Sequence, residues 1–109
     1  MPAKLLLVPT SGYGVRLVEA SGTGPSADTD VAAGSTASID VTVSDRDIVP
    51  GSTVVVAGVS GVPTGLSIAG VTASAGQGEA TVTITLYNPT GSSVTVAANS
   101  VTVKVVAIG

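Results

Sequence analysis

The carboxylates are the main candidates for chemistry in this 109-residue chain, because it contains no His and no Cys. Two pairs stand at alternate positions, Asp28 with Asp30 and Asp45 with Asp47, and alternate carboxylates can chelate Ca²⁺. An EF-hand needs a longer series of ligands that ends in Glu, which neither segment has. Asp is also a frequent turn residue, so solvated turns are the preferred interpretation, and no metal or cofactor is expected.

The remaining polar residues do not predict catalysis. Asp40 and Glu79 would have to form the carboxylate pair of a glycoside hydrolase, whose cleft normally has aromatic walls, and the chain has no Trp. The many Ser and Thr have no His to act as general base. Three G-x-G patterns, at residues 12–14, 22–24 and 76–78, do not lead into a helix and indicate turns rather than phosphate-binding loops. The chain is therefore not expected to be an enzyme.

Charge and hydropathy exclude two classes of partner. Charged residues make up 10% of the chain, the net charge is −3, and the four basic residues are scattered. Nucleic-acid binding needs clustered Lys and Arg, so it is not expected. No apolar stretch is long enough for a membrane span or for the core of a signal peptide, so no membrane association is expected. The Met1 start indicates a small gene product made in a cytoplasm.

The apolar residues are mostly small. Val and Ala far outnumber Leu, and Phe is absent. Small side chains bury little area each, at about 25 cal/mol per Å², so a core of this size has a thin margin of stability. Burial against a second copy or a larger surface would widen that margin. The composition therefore predicts an oligomer.

Alternation of apolar and polar residues indicates β-strands throughout. It is clearest in residues 37–44 and 80–87. Further strands are predicted at residues 3–8, 13–19, 53–57, 66–73, 94–97 and 101–108. Pro9 should end the first strand, and the continuous apolar run at 53–57 should be buried on both faces. Together the strands predict an all-β fold, an antiparallel β-sandwich or jelly-roll-like architecture with an extended N-terminal arm.

The residues between the first strands and the core suggest a boundary. Residues 21–30 are rich in Gly, Ser, Pro and Asp and predict a loop or linker. The chain is thus divided into an N-terminal strand, arm and linker at residues 1–30 and a β-sandwich core at residues 31–109. Residues 37–43 and 80–86 share a pattern, which ordinary similarity between half-buried strands explains better than duplication does.

For two sets of residues on predicted strands, the question is whether their side chains lie at the surface or in the core. Tyr13 begins a predicted strand and Tyr87 ends one. An aromatic residue at a strand end can cap the core or anchor a partner, and the core role is the preferred interpretation for both. Thr81, Thr83 and Thr85 share one face of a strand. A solvent face of high β-propensity is the preferred interpretation, and pairing with another sheet or a hydroxylated ligand is the alternative.

Four segments follow one another in a recognisable order. They are VAAGSTASIDVTV at residues 31–43, VPTGLSIAG at 62–70, ATVTITLYNPTG at 80–91 and VTVKVV at 101–106. This order resembles a small β-sandwich domain of phage capsid decoration (cement) and tail-associated proteins. The resemblance implies a non-enzymatic virion protein, often a homotrimer, that binds neighbouring capsid subunits. It does not cover the first thirty residues.

Two hypotheses of function follow. The first is a structural virion protein on the capsid surface, made in the host cytoplasm, which stabilises the phage head by binding the major capsid protein and itself. In this hypothesis Leu5, Leu6, Leu7 and Val8 dock the N-terminal arm onto a neighbour, although the same run would also suit a first core strand. The second is a cell-surface or glycan-binding module of a tail fibre or adhesin.

Overall fold

Nine β-strands make up the secondary structure of the part of the chain that the computed structural model describes, residues 4–10 and 13–109, with side chains from residue 17 onward. The strands are β1 Lys4–Thr10, β2 Tyr13–Gly24, β3 Thr29–Val31, β4 Thr36–Ser44, β5 Thr53–Ser60, β6 Ser67–Gly76, β7 Glu79–Tyr87, β8 Val94–Val96 and β9 Val101–Ile108. Within this part there is no helix of the length and apolarity that a membrane crossing requires. The all-β prediction is confirmed.

The strands form antiparallel sheets. One has four strands in the order β1-β2-β9-β5, a second has three in the order β4-β7-β6, and β3 pairs with β8 in a short ribbon. The four-stranded and three-stranded sheets pack face to face, with β2 against β4 on one side and β5 near β6 on the other. This is the predicted β-sandwich.

The core lies between the two sheets and follows the alternation of the sequence. In β4, Ile39, Val41 and Val43 are buried while the residues between them are exposed. The buried apolar residues are Val18, Ala20, Val31, Ile39, Val41, Val43, Ile48, Ala80, Val82, Ile84, Leu86, Val96, Val101, Val103, Val105 and Ala107. Most are β-branched, and β-branched side chains pack well on pleated faces. Residues 37–43 and 80–86, which share a pattern, are direct partners in β4 and β7.

Glycines bring the two sheets together at β2 and β4. A Cβ on Gly22 would collide with the backbone oxygen of Thr42, and one on Gly24 would lie 2.7 Å from the backbone oxygen of Asp40. Because no side chain fits between the two backbones, only glycine allows β2 to approach β4 this closely.

The N-terminal residues differ from the prediction in two places. β1 continues through Pro9, which pairs with Gly14, whereas the strand was expected to stop there. Proline is tolerated because β1 is an edge strand, where a missing N–H costs no ladder bond. Residues 21–30 are a loop only from 25 to 28, since β2 runs to Gly24 and β3 begins at Thr29. Residues 21–24 lie in β2 and pack closely against β4. This close packing requires small residues rather than large apolar ones, so the strand shows no apolar alternation in the sequence.

Two burial predictions are wrong. Residues 53–57 belong to an edge strand that is half-buried, and Val55 on its outer face is 47% exposed. A continuous apolar run shows that both faces are apolar, not that both are covered. Tyr87 is 39% exposed at the end of β7 rather than in the core. The side chain of Tyr13 lies outside the described residues.

Candidate functional site

The four predicted docking residues, Leu5, Leu6, Leu7 and Val8, all lie on β1. Among the described strands, β1 pairs with β2 alone. The facing three-stranded sheet ends at β4, which packs against β2. Strand β1 therefore lies one strand beyond the edge of the sandwich, where none of the described strands forms a sheet opposite it.

The tip of the β1–β2 hairpin also extends past the end of the sheet. Residues 7–10 pair with residues 13–16, whereas β9 first pairs with β2 at Leu17, opposite Ile108. Four residue pairs at about 3.3 Å each project roughly 13 Å beyond the last residue of β9. Consecutive residues of a strand belong to opposite faces, so the apolar run gives two apolar residues to each face of β1. Side chains of this run lie outside the described residues.

The first pair of alternate carboxylates is used in local structure. Asp28 Oδ1 accepts a hydrogen bond from the backbone N–H of Ala98 at 2.8 Å. Asp30 Oδ1 accepts one from the Thr95 hydroxyl at 2.6 Å. These contacts hold β3 and the loop before it against β8. Across the described residues, no group of three or more carboxylates is placed to hold a metal ion.

The second pair builds a turn. Asp45 Oδ1 accepts a hydrogen bond from the backbone N–H of Asp47 at 2.8 Å. The backbone N–H of Asp45 donates to the Gly78 oxygen, and the Gly78 N–H donates to the Ile48 oxygen. Asp45 is 8% exposed, and its Oδ2 is buried without a hydrogen-bond partner. The turn therefore joins the β4–β5 connection to the β6–β7 hairpin. In this arrangement Asp45 Oδ2 is left without a hydrogen bond.

Replacing Asp45 with Ala should lower the free energy of unfolding by about 1–2 kcal/mol, because it removes the acceptor for the Asp47 N–H. Replacing it with Asn should cost at least about 1 kcal/mol less than Ala, since Asn keeps that acceptor and removes a buried charge. Urea unfolding of both variants at pH 7 measures the difference. Equal losses would mean that the turn does not depend on Oδ1.

Asp40 and Glu79 are not brought together. Asp40 lies opposite Thr83 and Glu79 opposite Ser44 in the β4–β7 ladder, so they are separated by four residues along the strands, or about 13 Å. Paired carboxylates in glycoside hydrolases lie roughly 5–9.5 Å apart. Asp40 instead accepts a hydrogen bond from the Thr83 hydroxyl at 2.8 Å.

The outer face of the three-stranded sheet is rich in hydroxyl groups. Thr81, Thr83 and Thr85 are half-buried there, and the Thr85 and Ser38 hydroxyls lie 3.2 Å apart. Exposed Tyr87 is at the end of the same row. This face is polar, as the sequence predicts.

The outer face of the four-stranded sheet has two shallow cavities beside the bulge of β5. One, of about 170 Å³, is lined by Glu19, Ala20, Ala57, Lys104, Val105 and Val106. The other, of about 350 Å³, is lined by Ala57, Gly58, Val59, Ser60, Thr102 and Lys104. Small-molecule sites usually occupy about 300–1,000 Å³ with several convergent polar groups. Glu19 and Lys104 are the titratable side chains in these two linings, so neither lining contains a convergent acid–base set.

A surface that sequence reasoning missed lies on the side opposite β1. Residues 48–78 contain no charged residue, and they include β5 and β6, the final strands of the two main sheets. The uncharged run was visible in the sequence, but only the strand order places both strands at edges. Strand β1 and this uncharged side are thus the two candidate interaction surfaces.

No protein-family model, curated protein or solved structure matches this chain.

Proposed function

We propose that this chain is a non-enzymatic structural protein that docks through strand β1, and that it decorates a phage head by binding the major capsid protein. The observation that carries the proposal is the position of β1, with four consecutive apolar residues one strand beyond the sandwich. The resemblance of residues 31–106 to phage decoration and tail-associated domains supports the capsid as the partner surface.

The chemistry of docking is that of an edge strand. The outer edge of β1 has main-chain N–H and C=O groups that a strand of a neighbour can pair with. Burial of a Leu side chain contributes about 1.5–3 kcal/mol, so covering both faces of β1 outweighs the cost of ordering a neighbouring segment. Binding of this kind needs no charged side chain, in keeping with the low charge of the chain.

Self-association is part of the proposal. A core built mostly from Val and Ala, with no aromatic residue among the buried residues of the described part, gives a thin margin of stability to a monomer, and a second copy adds burial. The resemblance implies a homotrimer on the capsid. The docking proposal itself requires only that β1 be available for the capsid protein.

Lysine substitutions on β1 test the docking role. We expect Leu5→Lys/Leu7→Lys or Leu6→Lys/Val8→Lys to weaken binding to phage heads by at least about tenfold, because buried anchors dominate interfaces. The probe is cosedimentation with purified heads, stripped of this protein, from a phage whose genome encodes the chain. Ala32→Lys/Ala33→Lys is the matched control, since it adds the same charge at exposed positions.

Unfolding curves accompany each binding measurement. Full binding by both folded β1 variants would show that docking uses another surface. If both variants unfold, β1 is a core strand and the docking role assigned to it is overturned. Failure of the unmodified protein to bind heads would overturn the capsid proposal.

A second candidate function, glycan recognition by a tail fibre or adhesin module, is favoured by one feature. Tyr87 is exposed at the end of the hydroxyl-rich face, which also contains Asp40 and Thr83, and sugars bind to aromatic and hydroxyl groups of this kind. A glycan array probed with the unmodified protein and with Tyr87→Ala tests it. Binding that is lost in Tyr87→Ala would favour this candidate over capsid decoration.

A further inference from the structure

A second free edge lies on the side of the sandwich away from β1. Strand β5 ends the four-stranded sheet and β6 ends the three-stranded sheet among the described strands. The two strands are joined by residues 61–66 and lie near each other. Both sheet edges therefore open on one surface, the β5–β6 side.

This side lacks the charged residues and prolines that often protect a sheet edge, and each of its two strands contains one bulge. Natural edges are blunted with charged residues, especially Lys, or with Pro. Neither β5 nor β6 contains a charged residue or a Pro. In contrast β4, the other edge strand of the three-stranded sheet, contains Asp40 and lies against β2.

The core is also incompletely covered on the β5–β6 side. Ile68 pairs with Leu86 and Val71 with Ile84, and direct partners in an antiparallel pair share a face. Leu86 and Ile84 are fully buried, yet Ile68 is 46% exposed and Val71 is 39% exposed. Two inward-facing apolar residues therefore remain half open to solvent at this edge.

We infer that the β5–β6 side is where a second copy of this chain binds, with β6 pairing antiparallel with β6 of the other copy about a two-fold axis. The two three-stranded sheets then join into one sheet of six strands. Two-fold pairing places residues near the axis opposite the same segment of the other copy, where like charges would repel. An uncharged strand has no such repulsion, and it offers nothing that a charged partner would recognise.

The dimensions suit such a contact. A bulge between Ile68 and Gly70 shifts the register, and residues 70–76 then pair regularly with β7, so the regular part is centred on Ala73. Ten residues of β6 span about 34 Å, and the molecule is 21 by 19 Å in its two short dimensions. The β5–β6 side therefore has a footprint of roughly 700 Å², of the same order as the ~800 Å² that each partner buries in a standard interface.

Single cysteines test the register directly, because the chain has no Cys of its own. Thr72 and Ser74 are exposed on the outer face of β6, and an axis at Ala73 places Thr72 opposite Ser74 of the other copy. We expect an equimolar mixture of Thr72→Cys and Ser74→Cys to form a mixed disulfide dimer in a glutathione redox buffer. An axis shifted by one residue would cross-link one of the two variants with itself. Thr42→Cys, exposed on β4, is the control that should remain uncross-linked.

Sedimentation of the full chain across a dilution series supplies the second measurement. We expect a dimer, and we expect Ile68→Lys/Val71→Lys to raise its dissociation constant at least about tenfold. Ala32→Lys/Ala33→Lys is the matched control, because it adds the same two charges at exposed positions outside β5 and β6. If the double lysine variant does not fold, the cysteine variants decide.

A monomer at 100 µM without cross-linking would overturn the inference, as would a trimer whose β6 cysteines stay reduced. Neither result would bear on the docking role of β1, because the head-binding experiment tests residues of β1 and this experiment tests residues of β6. Conversely, a β6-linked dimer that does not bind heads would support this inference and overturn the capsid proposal.

Discussion

Replacing Asn88 with Ala is expected to lower the free energy of unfolding by about 3–5 kcal/mol, the largest effect we expect from any single polar substitution. The side chain of Asn88 is fully buried between the end of β7 and the β3–β8 ribbon. Its Nδ2 donates to the backbone oxygens of Val31 and Ser92, both at 2.8 Å. Its Oδ1 accepts from the backbone N–H of Thr90 at 2.9 Å and from the Thr90 hydroxyl.

The magnitude follows from what Ala leaves behind. Each hydrogen bond of this type has a net value of about 0.5–1.5 kcal/mol, and a buried group left without its partner costs about 1–3 kcal/mol. Loss of the amide removes one donor from the Val31 oxygen and one from the Ser92 oxygen, and it leaves the Thr90 N–H without its acceptor. Asn88→Asp should be nearly as damaging, because it replaces both donated hydrogen bonds with oxygens facing the Val31 and Ser92 carbonyls.

Chemical denaturation of the purified protein measures this effect. The matched control is Asn99→Gly, since Asn99 is exposed and has a φ of 58°, a conformation that Gly adopts freely. The control should stay within about 0.5 kcal/mol of the unmodified protein. A loss of less than 1 kcal/mol in Asn88→Ala would contradict the role of Asn88 as the junction of these elements.

Gly22→Ala is expected to lower the free energy of unfolding by about 2–4 kcal/mol. The added Cβ would meet the Thr42 backbone oxygen, and it would lie 3.1 Å from Cα of Val43. Backbone atoms cannot rotate away as a flexible side chain can. Strand β2 must therefore move away from β4, which disturbs the packing of Val18 and Ala20 in the core.

Gly58→Ala is the matched control for this substitution. Gly58 also lies in a strand of the same sheet, its φ is not positive, and an added Cβ would meet nothing within 4 Å. We expect Gly58→Ala to be neutral or to stabilise by up to about 1 kcal/mol, through the lower entropy of the unfolded chain. Similar losses in the two variants would mean that the close approach of β2 and β4 does not limit stability.

Much of the sandwich could be predicted from local patterns. β4, β7 and β9 are each found where alternation predicts them, because a strand with one buried face repeats its apolar residues every second position. The bulge of β6 lies between Ile68 and Gly70, and Gly inside a strand often marks such a site. The role of Asn88 depends on a partner, Val31, that is distant in sequence, so local patterns do not reveal it.

Three of the errors in the prediction have the same cause. Pro9 within β1, the strand residues of 21–24 and the exposed outer face of β5 all depend on which strand lies beside which. A local window contains no information about pairing partners, so it cannot separate an edge strand from a central one. Glycine-rich β2 looked like a linker because the contact it serves, with β4, joins residues about twenty positions apart.

Composition and local patterns account for the kinds of residue and strand in this protein. They show a chain without imidazole or thiol groups, a core of small β-branched residues, an apolar run at Leu5–Val8 and an uncharged stretch at residues 48–78. The positions of these features follow from the folded structure, which has β1 one strand beyond the sandwich and β5 and β6 together at its opposite side. Composition and alternation are local properties, whereas sheet edges are created by pairing between distant strands such as β2 and β9.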